Sequence, residues 1–136
     1  MIELRVCIDV DDLDRAIDFY TRALGLKLGR RRGTQWAELL GGTSPIDLLP
    51  KPAGSTAAPG QSAARDYRRH WTPVHLDLTV TDLDAAVARA QACGARLDRE
   101  IQVQDWGRMA NLADPFGHGF CLLEFRGKGY DAVLGG

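Results

Sequence analysis

The chain has 136 residues, 45% hydrophobic and 26% charged, a globular composition that excludes disorder. A chain this long folds as one ordinary domain and hides roughly two-thirds of its surface, enough for a core without staples. Its 17 basic and 18 acidic residues leave a formal charge of −1, so no positive field marks a nucleic-acid partner. No apolar run approaches the roughly 20 residues of a membrane span. The opening MIELRVCIDVDD carries acids where a secretory signal has a basic flank and an apolar stretch, so the expected address is cytoplasmic. Cys7, Cys93 and Cys121 are odd in number and lack CxxC spacing, which argues against a disulfide framework or a zinc knuckle.

In chain order, Leu4, Val6, Ile8 and Val10 alternate with Arg5, Cys7 and Asp9, the pattern of a half-buried strand. Asp11 or Asp12 can cap the helix that follows, in which Leu13, Ala16, Ile17, Tyr20, Ala23 and Leu24 recur at helical spacing. Gly25 supplies the stop. Strand-like pieces are predicted at about 26–31, 35–40 and 45–49. The stretch PKPAGSTAAPGQSAARD is rich in Pro, Gly, Ser and Ala and reads as a mobile linker, either a plain surface loop or a lid. Tyr67 to Trp71 follow it, as a solvated turn or as ligand contacts.

The scheme then repeats. VHLDLTVTDLDAAVARAQ matches ELRVCIDVDDLDRAIDFY when Asp82-Leu83-Asp84 is laid on Asp12-Leu13-Asp14. That alignment pairs Arg5 with His75, Cys7 with Asp77 and Asp9 with Thr79. A long period occurring twice signals a duplicated half-domain rather than a solenoid. The second copy predicts a strand over 74–80, a helix over 83–93 and pieces at about 96–102, 107–113 and 119–125, with DPFG as a turn. The resulting layout is a first βαβββ unit (1–50), a linker loop (51–71), a second unit (72–126) and a tail (127–136), together one α+β domain.

Two βαβββ units, each with a DLD helix start, and DPFGHGFCLLEF near the end resemble the vicinal oxygen chelate superfamily, the glyoxalase, bleomycin-resistance and extradiol-dioxygenase group, in its glyoxalase-like branch. The resemblance covers about Ile2–Phe125. It implies an open, curled mixed sheet around an inter-unit cavity with helices outside, and a homodimer. Metal-using members place ligands early in the first strand and in the last strand of each unit. Those positions correspond here to Arg5, Asp47, His75 and Cys121. His75 and Asp47 suit a divalent first-row ion, and Cys121 can join only as thiolate, from a free pKa of about 8.5. Arg5 has donors only and stays protonated, so it repels a cation. Arg5 and Asp47 are therefore expected to pair bidentately where the ion would sit, leaving no cofactor. The alternative is a metal held by His75, Asp47 and Cys121.

Alternation puts Arg5, Cys7, Asp9, Asp47, His75, Asp77 and Cys121 on the cavity side. His75 reads either as a wall histidine bonded to a neighbour or as a ligand contact. With Asp77 it is also a candidate acid/base pair. Trp36 and Trp106 stack on a ligand or belong to the core, and Arg108 meets an anion or stays solvated. Glu124 alternates outward. No nucleophile elbow, phosphate-cradling loop or dinucleotide fingerprint occurs, and GRRRG at Gly29–Gly33 reads as an exposed face. The expected function is metal-independent binding of a hydrophobic or aromatic small molecule, with a metal-dependent lyase or isomerase as the alternative and metal-free acid/base catalysis as a weaker one.

Overall fold

The computed structural model describes residues 1–134. The chain divides into two compact units, with the break between Arg68 and Arg69, inside the expected linker. The class is α+β, as the repeat implied.

The first unit runs β1 (Val6–Val10), α1 (Leu13–Leu24), β2 (Lys27–Arg32), β3 (Trp36–Leu40) and β4 (Ile46–Pro50). The strand order is β1-β4-β3-β2, an open sheet with β1 parallel to β4 and the rest antiparallel. Asp12, not Asp11, caps α1, its side chain accepting from the Arg15 amide. Gly25 closes the helix at φ 71°, a left-handed conformation that costs a residue without Cβ little. Leu13, Ala16, Phe19, Tyr20 and Ala23 form the buried stripe, so Phe19 rather than Ile17 points inward. It packs on Val10, Ala37, Leu39 and Leu48, none more than 1% exposed.

The second unit runs β5 (Leu76–Thr79), α2 (Leu83–Ala92), β6 (Arg96–Leu97), β7 (Gln102–Gln104), β8 (Gly107–Ala113), β9 (Gly119–Phe125) and a short α3 (Asp131–Leu134). Here β5 is parallel to β9, and β8 lies between β9 and two edge pieces. The single strand expected near 96–102 is interrupted: β6 pairs with the end of β8 and β7 with its beginning. Leu83, Val87 and Ala90 of α2 are buried, as are Ala110, Leu112 and Leu122 of the sheet. In both units, then, one face of the sheet packs on the helix and the other carries a polar cluster.

The 51–68 stretch is held by polar contacts, which is how a segment poor in apolar residues departs from a free tether. Thr56 bridges Ala64, and the Gly54 amide donates to the Arg65 carbonyl. Arg65 Nε donates to Asp9 Oδ2 at 2.7 Å, and the Tyr67 hydroxyl donates to the Lys51 carbonyl at 2.6 Å. No described helix is long and apolar enough to cross a membrane.

Candidate functional site

On the polar face of the first unit, Cys7 lies opposite Asp47 across β1 and β4, and Asp47 lies opposite Glu38 across β4 and β3. Arg5, just before β1, reaches both acids. Its Nε donates to Asp47 Oδ2 at 3.0 Å, and its Nη2 to Asp47 Oδ1 at 2.8 Å and to Glu38 Oε2 at 2.7 Å. The bidentate pair expected from residue chemistry is therefore present, with a second carboxylate added. Trp36 Nε1 donates to Asp47 Oδ1 at 2.9 Å. Arg30 donates twice to Glu38, at 2.9 and 2.7 Å, and lies 5.7 Å from the centre of the Trp36 ring.

This network balances two guanidinium groups against two buried carboxylates. Hydrogen bonds from Arg30, then Arg5, hold Glu38 down to a pKa of about 2. Those from Arg5 lower Asp47, against the opposing effect of burial. Glu38 escaped the sequence reading, although it shares the alternation of Trp36 and so had a signal. Asp9 also lies on this face but is occupied by Arg65.

The second unit has the same frame with different chemistry. Asp77 lies opposite Cys121 across β5 and β9, and Cys121 opposite Asn111 across β9 and β8. Thiol and carboxylate have traded strands relative to the first unit. His75 stands where Arg5 stood, with Nε2 at 3.1 Å from Asp77 Oδ1. One donor atom each from His75, Asp77 and Cys121 lies within 4.8 Å of the others. Asn111 Nδ2 donates to Cys121 Sγ at 3.1 Å, and Arg99 Nε donates to Asn111 Oδ1 at 2.9 Å. Burial, followed by the charge of Asp77, raises the Cys121 thiol above its ordinary pKa, so it stays protonated at neutral pH.

A cavity of about 360 Å³ opens onto this unit, lined by His75, Asn111 and Cys121 and by Arg69, His70 and Trp71. Arg69 is held by Asp98, at 2.8 Å from Nη2. His70 Nε2 lies 2.9 Å from His118 Nδ1, so His118 ties the turn to the cavity wall.

Two candidates lie elsewhere in the second unit. Arg108 occupies the opposite sheet parity from Asn111, pairing with Asp84 at 3.0 Å and Glu124 at 3.3 Å beside the start of α2. Glu124 Oε2 also accepts the Leu83 amide at 2.7 Å. Trp106 packs on Phe125 and Tyr130, with ring centres at 5.6 and 5.3 Å. Neither is among the residues lining the cavity.

The four positions that the resemblance gives to a metal do not make a donor set. Arg5 has no lone pair to offer, and Asp47 has both oxygens engaged by Arg5 and Trp36. Any cation arriving there would have to displace a charge-assisted pair.

The family model for the glyoxalase-like domain matches residues 5–123. The chain belongs to the glyoxalase-like family. Among its relatives is the anthracycline biosynthesis protein DnrV of Streptomyces peucetius, 35% identical over 127 residues, 93% of this chain and 42% of DnrV. The chain thus spans less than half the length of that relative. Among solved structures it resembles TnmS3, an antibiotic binding protein from Streptomyces sp. CB03234, at 25% identity and TM-score 0.63, covering 93% of this chain and 97% of the other. The fosfomycin resistance protein FosX of Listeria monocytogenes, in a structure with Mn(II), shares the fold at 18% identity and TM-score 0.71, over 93% of each chain.

Proposed function

We propose that this glyoxalase-like protein binds a hydrophobic or aromatic small molecule without a metal cofactor, as a cytoplasmic homodimer. One observation carries the reading: the Arg5 guanidinium bonds Asp47 and Glu38 together where a chelating group would be needed. A permanently cationic side chain at that point neutralises the carboxylates as an ion would, but offers no open coordination position to polarise a substrate. The cavity of the second unit supplies the recognition surface, with polar groups of both signs beside an indole. The antibiotic-binding description of TnmS3 and the biosynthetic one of DnrV support a small organic ligand.

Isothermal titration with planar aromatic compounds, run with and without chelator, tests this. Saturable binding unaffected by chelator, with no stoichiometric metal by elemental analysis, is the expected result. Size-exclusion chromatography with light scattering tests the dimer.

The His75, Asp77 and Cys121 cluster favours a second reading, in which a first-row ion serves a lyase or isomerase. Its carboxylate would be Asp77 rather than Asp47. A stoichiometric ion that disappears in His75→Ala would establish it. The weaker reading, acid/base work by His75 with Asp77, rests on their 3.1 Å contact and would appear as turnover in chelator.

A further inference from the structure

The second unit's cavity contains two arginines in opposite circumstances. Arg69 is saturated: Nε and Nη2 engage Asp98 at 3.3 and 2.8 Å, and Nη1 meets the carbonyls of His70 and Gly117. Arg99 is different. Its Nε donates to Asn111 Oδ1 at 2.9 Å, which tethers the exposed guanidinium, while its terminal NH₂ groups have no carboxylate partner among the described residues. Asn111 is itself fixed by its bond to Cys121 Sγ, so Arg99 is anchored to the cavity floor through a side chain with both ends committed. Asp98 is held by Arg69, and Asp77 lies against His75.

A positioned guanidinium with two free donor ends is a recognition element for a planar oxyanion. At the same cavity Trp71 is 80% exposed, the most exposed aromatic side chain among the described residues. An indole left open beside a fixed cation suits a ring that bears a charged oxygen.

We propose that the cavity selects aromatic ligands carrying an ionised oxygen, a carboxylate or phenolate, and that Arg99 binds that oxygen. The assignment rests on the small-molecule reading above and narrows its ligand class.

The probes are 2-naphthoate and 2-naphthamide, which share ring and shape and differ in charge, titrated calorimetrically into the full chain. Wild-type protein is expected to bind the naphthoate about tenfold or more tighter, the scale of a hydrogen bond to a charged group. Arg99→Gln should bring the two probes within about twofold of each other without weakening the naphthamide. Equal affinities in the wild type, or a naphthoate preference that survives Arg99→Gln, would overturn the Arg99 assignment and leave the binding reading standing. If neither these probes nor larger planar aromatics bind, the binding reading falls and the assignment falls with it.

Discussion

Cys7 faces Asp47 across the first unit's parallel strand pair, and in the second unit the same two positions hold Asp77 and Cys121, carboxylate and thiol exchanged. The basic residue two places earlier follows the carboxylate in each case, Arg5 to Asp47 and His75 to Asp77. One half carries a fixed charge pair and the other a histidine against a carboxylate.

Acid should reveal the strongly held carboxylates of both units. Glu38 and Glu124 are both held near a pKa of about 2, below the ordinary carboxylate value, so the folded state favours their ionised forms. Their contribution is complete above the unfolded pKa, about 4.3, and is lost as pH falls through the folded value. Urea midpoints should decline between about pH 4.5 and 2. Glu38→Gln should flatten that decline while lowering the midpoint at pH 7.

Removing Arg5 tests the same network from the other side. Arg5→Met leaves Asp47 with only the Trp36 indole as a strong donor and raises its pKa toward the ordinary range. The acid limb for Asp47 should then begin at higher pH, as followed by carboxyl chemical shifts.

Glu124 ties a strand to a helix start. Glu124→Ala removes the acceptor of the Leu83 amide and leaves Arg108 with Asp84 alone. The Leu83 amide should exchange roughly tenfold faster, or more, in hydrogen–deuterium measurements. Amides of α1 should be unaffected, since the Glu124 carboxylate accepts from the start of α2 and not from α1.

Leu122 is fully buried in β9, on the face toward α2. Leu122→Ala should cost about 2–5 kcal/mol, as a large cavity left in a core does. Urea denaturation followed by Trp fluorescence measures it.

The thiols should react at very different rates. Cys7 is exposed, whereas Cys121 is buried with its pKa raised, so little thiolate forms at pH 7.5. Ellman's reagent should give a fast phase that Cys7→Ser abolishes. Cys121 should accelerate only as pH rises, and bound ligand should slow it further.

Much of this was legible from residue order. The repeat set by Asp12-Leu13-Asp14 and Asp82-Leu83-Asp84 located both helices, and alternation put Arg5, Cys7, Asp9 and Asp47 on one face. The pairing of Arg5 with Asp47 followed from charge, because a buried unpaired ion is costly. What stayed hidden depends on register. Arg108 and Asn111 lie three apart in one strand and so on opposite faces, but only the register shows that Asn111 meets Cys121 and Arg108 meets Glu124. Arg99 and Arg69 lie outside strands, where no period exists to read. Trp106 meets a tail residue, Tyr130, through a contact that no local pattern encodes.

The exchange of sulfur and carboxylate between the halves shows how a doubled chain diverges. Backbone pairing holds four side-chain slots in place and is indifferent to what fills them, so single codon changes can retune one half while the other keeps its wiring. Transplanting the histidine-bearing trio onto the amino-terminal sheet would accordingly need three replacements and no new scaffold.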